Sequence, residues 1–327
     1  MRVEVAGFGA WGLAFGALLA RRGAATTLLT APHEDADAFN RTTRHPLFPQ
    51  WDLPGGLVAR QRASDAPPPD LLVWAVPGTF TADWLEAGVL DARKKTPLVV
   101  LSKGLAPEGF EPVGAWLARR AKAPVVVLSG PNFASEVLRG LPAAAVLGGP
   151  TAHFEGILRL LEGSPLRLYP SADLLGVALG GVLKNVYAIG AGMADGADLG
   201  ENARAALLTR ALAEMARVFR CLRANAATLL GLAGVGDLFL TAASPQSRNW
   251  QLGNALSKGE GGKAAKAGLR GESEGARTVG GLVSLAKAQD LDLPLAHAIH
   301  DVIQEKSDVP TAVRSLLSRP PKPDEQT

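Results

Sequence analysis

The first half of the chain alternates short apolar runs with longer stretches of helical period. Residues 3–6, 26–30, 71–76, 98–102, 125–129 and 143–147 read as strands, and several are apolar throughout. Apolarity on both faces belongs to parallel strands covered above and below. Between them, residues 13–22 and 113–121 carry the pattern of crossover helices. Strands alternating with helices predict an α/β domain with a doubly wound, mostly parallel sheet. The run Pro67-Pro68-Pro69 reads as a stiff loop ahead of a strand.

Beyond about residue 171 the β signals stop. A nearly uncharged stretch over 173–195 precedes a helix over 203–224, where Leu208, Leu212, Met215, Phe219 and Leu222 share one stripe. Shorter helices are expected over 246–257, 276–289, 295–305 and 311–317. Residues 259–271, rich in Gly, Lys and Ala, predict a mobile loop, and 318–327, with three prolines, a disordered tail. The chain thus divides into an α/β domain at 1–175, an all-α domain at 176–317, and the tail.

Composition changes this picture in three places. The 34 basic and 31 acidic residues leave a formal charge of +3, too little to argue for nucleic acid but suited to a small anionic substrate. A single cysteine, Cys221, cannot close an internal disulfide and fits a reducing compartment. It lies in an apolar helical run, so a buried filler is expected rather than a reactive thiol. The uncharged stretch over 5–20 is broken by Gly7, Gly9, Gly12 and Gly16, and it is shorter than the roughly 20 residues of a membrane span. A cytoplasmic protein without stable membrane insertion is expected, and no metal site is foreseen.

Those glycines also carry chemistry. Gly7-Phe8-Gly9-Ala10-Trp11-Gly12 is a G-x-G-x-x-G run between a strand and a helix. In that setting Gly7 permits the tight turn, Gly9 admits a pyrophosphate to the backbone, and Gly12 allows close packing, while the helix N-terminus offers N–H groups to the anion. The N-terminal domain is therefore expected to be a dinucleotide-binding Rossmann domain; a βαβ unit that binds nothing is the plain alternative. Trp11 is equally readable as a core aromatic or a cofactor contact. The second strand ends Leu29-Thr30-Ala31-Pro32-His33, without the acidic residue that NAD-selective sites place there. With His33, Arg41 and Arg44 following, both NAD and NADP are expected to be accepted, with a modest lean to NADPH.

Two charges stand alone in apolar surroundings. Lys184 is the only charged residue between Asp173 and Asp195, and Asp237 the only one between Asn225 and Ser244. A buried lysine is costly unless paired or used; with Asn185 beside it and Gly180-Gly181 leaving room, it reads as a general acid/base, or else as a lysine snorkelling to solvent. Asp237, in a glycine-flanked turn, orients such a group or merely caps a turn. Ser247-Arg248-Asn249 opens a helix, where a guanidinium makes a phosphate clasp or a solvated surface charge. Ser102-Lys103-Gly104 and Ser129-Gly130-Pro131-Asn132-Phe133-Ala134 follow apolar runs, at the strand ends where open sheets bind ligands.

Together these segments resemble the bacterial NAD(P)-dependent glycerol 3-phosphate dehydrogenases. The resemblance runs in family order through residues 7–12, 102–105, 129–136, 183–186, 190–210, 234–241, 247–249 and Glu274-Gly275. It implies that Lys184 is the proton donor and acceptor, with Asp237 supporting it. Lys103, Gly130, Asn185, Thr241, Ser247, Arg248 and Asn249 would bind substrate. Gly7, Gly9, Ala10, Trp11, Gly12, Lys103, Asn132, Ala134, Arg248 and Glu274 would hold the cofactor, Gly130 also lining the nucleotide site. The chain departs from the family at Ala10, usually Ser or Thr, and at Ala31, often basic. The implied reaction is reversible hydride transfer between NAD(P)H and dihydroxyacetone phosphate, making sn-glycerol 3-phosphate for phospholipid synthesis; a homodimer is compatible. Two rivals stay open: another two-domain hydroxyacid or ketoacid reductase, which needs no phosphate clasp, and a non-catalytic dinucleotide sensor, which needs no lone buried charges.

Overall fold

A computed structural model describes residues 1–62, 67–259, 261, 265 and 273–320. The chain divides into two compact units, residues 1–107 with 111–178, and residues 108–110 with 179–327. Most of the expected loop at 259–271 and of the expected tail at 318–327 lies outside the described residues.

The first unit is an eight-stranded sheet in the order β3-β2-β1-β4-β5-β6-β7-β8. Its strands are β1 Arg2–Ala6, β2 Ala25–Thr30, β3 Leu57–Gln61, β4 Leu71–Trp74, β5 Leu98–Val100, β6 Val125–Ser129, β7 Ala143–Gly148 and β8 Leu166–Ser171. All neighbours pair parallel except β6 with β7. The helices are α1 Ala10–Arg21, α2 Ala36–Thr42, α3 Thr81–Glu86, α4 Val113–Arg120, α5 Ala134–Leu138 and α6 Glu155–Leu161. Val5, Leu13, Phe15, Leu19, Leu28 and Leu57 build a core between α1 and the sheet.

The pattern found the central strands and missed both edges. In β4 and β6 every residue is buried, whereas β3 and β8 keep exposed positions, and β8 contains Pro170. An edge strand has one open flank, so it tolerates Arg60, Gln61, Arg167 and a proline that a central strand would not. One buried charge in the sheet was also unforeseen. Glu4 on β1 is 6 % exposed, and its carboxylate is ion-paired with Arg60 and with the fully buried Arg93. A buried carboxylate needs such partners.

The second unit is helical. It comprises α7 Leu174–Gly196, α8 Gly200–Cys221, α9 Ala226–Leu229, α10 Asp237–Ala242, α11 Arg248–Ser257, α12 Glu274–Ala288, α13 Pro294–Ile303 and α14 Val309–Leu317, with a π turn at Leu232–Gly236. The opening residues of α7 group with the first unit. With mean hydropathy 1.5, α7 is long and apolar enough to cross a membrane, but 89 % of that window is buried inside the fold. Glycine sets how closely its neighbours approach. A Cβ on Gly253 of α11 would lie 1.9 Å from the Ile189 carbonyl oxygen of α7, and one on Gly192 of α7 would lie 2.0 Å from that of Trp250. Cys221 ends α8 half-buried rather than as buried filler, and Arg319, placed by the sequence in a free tail, pairs with Asp292 at 2.8 Å.

Candidate active site

In the first unit, β1 lies between β2 and β4, with β3 beyond one and β5 beyond the other. Such a switch point, outside the carboxyl ends of the strands, is where open α/β sheets take ligands. Gly7 leaves β1 there with φ +109°, and a Cβ on it would meet the Ala75 carbonyl oxygen at 2.8 Å. Gly12 is needed for a different reason: its Cβ would lie 2.6 Å from the Gly7 oxygen. Gly9, the N-cap of α1, has nothing within 4 Å of its Cβ position, so the backbone there is open to approach. The first N–H groups of a helix have no partner within it, and no acidic side chain occupies the first turn of α1. Ala10 and Trp11 continue this turn, both half-buried.

Two further loops end beside strands of the same sheet. Lys103, after β5, donates from Nζ to the Gly130 carbonyl after β6 at 3.1 Å. Gly130 has no room for a side chain, since a Cβ would meet Ala145 Cα at 2.8 Å. Both polar atoms of the Asn132 amide are buried without a hydrogen-bond partner, as is the Trp11 indole N–H. Buried orphans of this kind are rare, and a dinucleotide with its phosphates, ribose hydroxyls and carboxamide offers what they lack. The glycine cradle and these atoms together fit NAD or NADP. Ala134, the first residue of α5, packs against the α1 core.

Sequence reasoning missed a brace on the glycine turn. His45 is 2 % exposed; its Nε2 lies 2.7 Å from the Phe8 carbonyl, and its Nδ1 accepts the Leu47 N–H at 3.1 Å. The Leu47 bond assigns the proton to Nε2, so the neutral ring donates to Phe8, between Gly7 and Gly9. Burial holds its pKa below the usual 6.5, although the Phe8 bond pulls it upward. The Phe8 ring at 4.4 Å and the Phe39 ring at 6.4 Å, brought close by folding, set this histidine apart from a surface one.

The second unit gathers the lone charges. Lys184 Nζ donates to Asp237 Oδ1 at 2.6 Å and to Thr241 Oγ1 at 2.8 Å, and Thr241 donates to the same carboxylate oxygen at 3.2 Å. Lys184 is 8 % exposed and Asp237 1 %. Helix α7 supplies the lysine; α10 supplies Asp237 at its first position and Thr241 one turn later. The snorkelling alternative for Lys184 does not hold, because its amine is buried against a carboxylate. Gly180 has another purpose than clearance: a Cβ there would lie 2.2 Å from the Ala233 oxygen, so it admits the π turn that leads into Asp237.

Beside this cluster runs an amide relay. Asn249 Nδ2 donates to Asn185 Oδ1 at 2.9 Å, while Asn249 Oδ1 accepts from Ser273 Oγ at 2.7 Å and from the Gly275 N–H at 3.1 Å. Asn249 is thereby fixed by α7 on one side and by the start of α12 on the other. Ser247 is buried and caps α11 by accepting the Trp250 N–H at 3.2 Å, leaving its own hydrogen to donate. Arg248 begins α11 with an exposed side chain, and Glu274 begins α12 half-buried. Asp195, near the C-terminus of α7, steers α11 by accepting the Trp250 indole N–H at 2.7 Å. Neither Ser273 nor Asp195 carried a sequence signal, because each acts through a residue distant in the chain.

Comparison with known proteins bears on both units. A family profile for the N-terminus of NAD-dependent glycerol-3-phosphate dehydrogenase matches residues 2–154, and the one for its C-terminus matches residues 173–314. Glycerol-3-phosphate dehydrogenase [NAD(P)+] of Thermus thermophilus is 39 % identical, covering 98 % of this chain and 99 % of its own. The enzyme of the same description from Bradyrhizobium diazoefficiens is 37 % identical over 99 % of this chain and 98 % of its own. The crystal structure of glycerol-3-phosphate dehydrogenase from Coxiella burnetii superposes with a TM-score of 0.91 at 32 % identity, covering 97 % of this chain and 99 % of that one. With the glycine turn, the buried Lys–Asp pair and full-length similarity agreeing, the chain belongs to the NAD-dependent glycerol-3-phosphate dehydrogenase family.

Proposed function

We infer that the chain catalyses reversible hydride transfer between NAD(P)H and dihydroxyacetone phosphate, forming sn-glycerol 3-phosphate for phospholipid synthesis. The observation that carries this reading is the buried Lys184–Asp237–Thr241 cluster, which places one ammonium against a carboxylate and a hydroxyl in an apolar wall. Residues 1–175 are assigned to dinucleotide binding and 176–317 to substrate and catalysis. The cofactor, when bound, supplies or accepts the hydride.

The chain's own residues move the proton. Asp237 favours the ammonium form of Lys184, since an opposite charge in contact stabilises the charged state. For reduction, Lys184 gives its proton to the oxygen at C2 of the ketone as negative charge develops there, and Asp237 and Thr241 hold the amine in place. In the reverse direction the neutral amine takes the hydroxyl proton. Acid/base help of this kind is worth roughly 10²–10⁴ in rate. The ammonium form is the one that serves reduction, and the neutral amine the one that serves oxidation.

Arg248, backed by Ser247 and Asn249 at the start of α11, is assigned to the substrate phosphate and to the cofactor. A guanidinium fork matches phosphate oxygens, and a helix N-terminus adds to it. Asn185, Thr241, Lys103 and Gly130 complete the substrate contacts. Gly7, Gly9, Ala10, Trp11, Gly12, Lys103, Asn132, Ala134, Arg248 and Glu274 are assigned to the cofactor, the orphaned Asn132 amide being the strongest support among them. A cytoplasmic setting is proposed on the free thiol of Cys221.

The test is oxidation of reduced cofactor by the purified chain with dihydroxyacetone phosphate or unphosphorylated dihydroxyacetone. Turnover with the phosphate ester and little with the free ketone is expected. Equal kcat/KM for the two would overturn the phosphate assignment, and no turnover with either would overturn the reading.

A further inference from the structure

The carboxyl end of β2 is where a Rossmann site meets the adenosine ribose, and NAD-selective sites hold a carboxylate there. In this chain the fold brings one from the following turn. The Ala31 N–H donates to Glu34 Oε2 at 2.6 Å, and the Glu34 N–H donates to the Ala31 carbonyl at 3.0 Å. This closed turn folds the half-buried Glu34 back onto the strand end. It opens on a cavity of about 520 Å³ walled by His33, Glu34, Asp35, Asp37, Arg60 and Gln61 among others.

The cavity's walls are held firmly and its charge is mainly acidic. Asn40 ties α2 to β3 through two bonds with the Ala59 backbone, at 2.8 and 2.7 Å. Asp35 caps α2 by accepting the Ala38 N–H at 2.7 Å. Arg60 is already ion-paired with Glu4, and Arg62 is held by both oxygens of Asp83 at 2.7 and 3.2 Å. Of His33, Arg41 and Arg44, the side chains that could have drawn in a second phosphate, only His33 is among the lining residues.

We propose that Glu34 selects the cofactor: its carboxylate accepts hydrogen bonds from the adenosine ribose hydroxyls and repels a 2′-phosphate, so the chain binds NADH in preference to NADPH. The proposal rests on the dehydrogenase reading and replaces the lean to NADPH drawn from the strand end alone. A phosphate monoester carries about −1.5 to −2 charge near neutral pH. Set among Glu34, Asp35 and Asp37, that charge is the repulsive element that strong discrimination requires.

Calorimetric titration of NADH and NADPH into the wild-type chain and Glu34→Gln, at low salt and at high salt, tests this by affinity rather than turnover. Glutamine retains an oxygen for the Ala31 N–H, so the turn persists while the charge goes. Wild type should bind NADH at least about tenfold tighter than NADPH at low salt. Glu34→Gln should narrow that gap by strengthening NADPH, and salt should narrow it in wild type by screening. Equal affinities in wild type, or an unchanged gap in Glu34→Gln, would overturn the role of Glu34 and leave the dehydrogenase reading standing. Binding of neither nucleotide would overturn both.

Discussion

The proton-transfer role proposed for Lys184 predicts that its removal separates chemistry from binding. In Lys184→Ala, kcat should fall by at least about a hundredfold, the lower end of acid/base contributions, while the Kd for NADH stays within about twofold of wild type, because the glycine turn and Asn132 are untouched. Retention of more than about a tenth of wild-type kcat would rule out the proton-transfer role. At Arg248 the expected signature differs. Arg248→Lys keeps the charge but loses the two-pronged fork, so KM for dihydroxyacetone phosphate should rise by about 10-fold, the worth of about 1.4 kcal/mol. Unchanged kinetics in that variant would remove Arg248 from the phosphate site. Both residues stood out as candidates in the sequence because each breaks its surroundings: a charge inside an apolar run, and a cation at a helix start. His45 and Glu34 break nothing locally. The His45 brace depends on a neighbour 37 positions away, which no short window contains, and Glu34 depends on a turn that closes back three positions onto Ala31.

At the scale of elements, α11 positions three assigned residues, and its distance from α7 is set by glycine. In Gly253→Ala the new methyl would lie 1.9 Å from the Ile189 oxygen and 2.8 Å from the Met193 nitrogen, both backbone atoms that cannot rotate away. The helix must therefore shift, carrying Arg248 and Asn249 with it. A loss of about 1–3 kcal/mol in urea unfolding is expected, the usual cost of overpacking, together with a higher substrate KM. Wild-type stability and KM would show that α11 can move without consequence. The strands were legible wherever burial on both faces made them uniformly apolar. The edge strands β3 and β8 were not, since the polar residues that one open flank permits erase that signal. The α8 range came out three residues late at each end, at 203–224 against Gly200–Cys221, because the apolar stripe marks the packed face of a helix rather than its caps.

For the molecule as a whole, one buried acid ties stability to pH. Glu214 on α8 is 1 % exposed; its carboxylate accepts the Leu295 and Ala296 N–H groups at the start of α13, at 2.6 and 3.0 Å, and the Tyr187 hydroxyl at 3.0 Å. Burial raises its pKa to about 7, against the opposing pull of those hydrogen bonds. Between the unfolded value near 4.5 and about 7, the folded state therefore holds more protons than the unfolded chain. Stability from this group is present at low pH and is lost as pH rises through about 7. The Tm should fall by several degrees from pH 5 to pH 8, a change of order 1 kcal/mol or more for a chain of this size. Glu214→Gln, which does not titrate, should flatten that slope; an equal slope in the variant would assign it to other groups.

What the sequence determined by itself is what local chemistry dictates: parallel strands from uniform apolarity, a tight strand-to-helix turn from spaced glycines, and buried charges that must be paired. Those signals are contained in short windows, and they sufficed to mark the sheet's centre, the glycine turn, Lys184, Asp237 and Arg248. Tertiary structure decided the rest. It chose which carboxylate faces which amine, added Thr241 to the pair, bound Asn249 to Asn185 and Ser273, and set His45 against the Phe8 carbonyl. Partnership between residues tens of positions apart is set by how helices and strands pack, because a hydrogen bond depends on distances of a few tenths of an ångström that the order of residues does not encode.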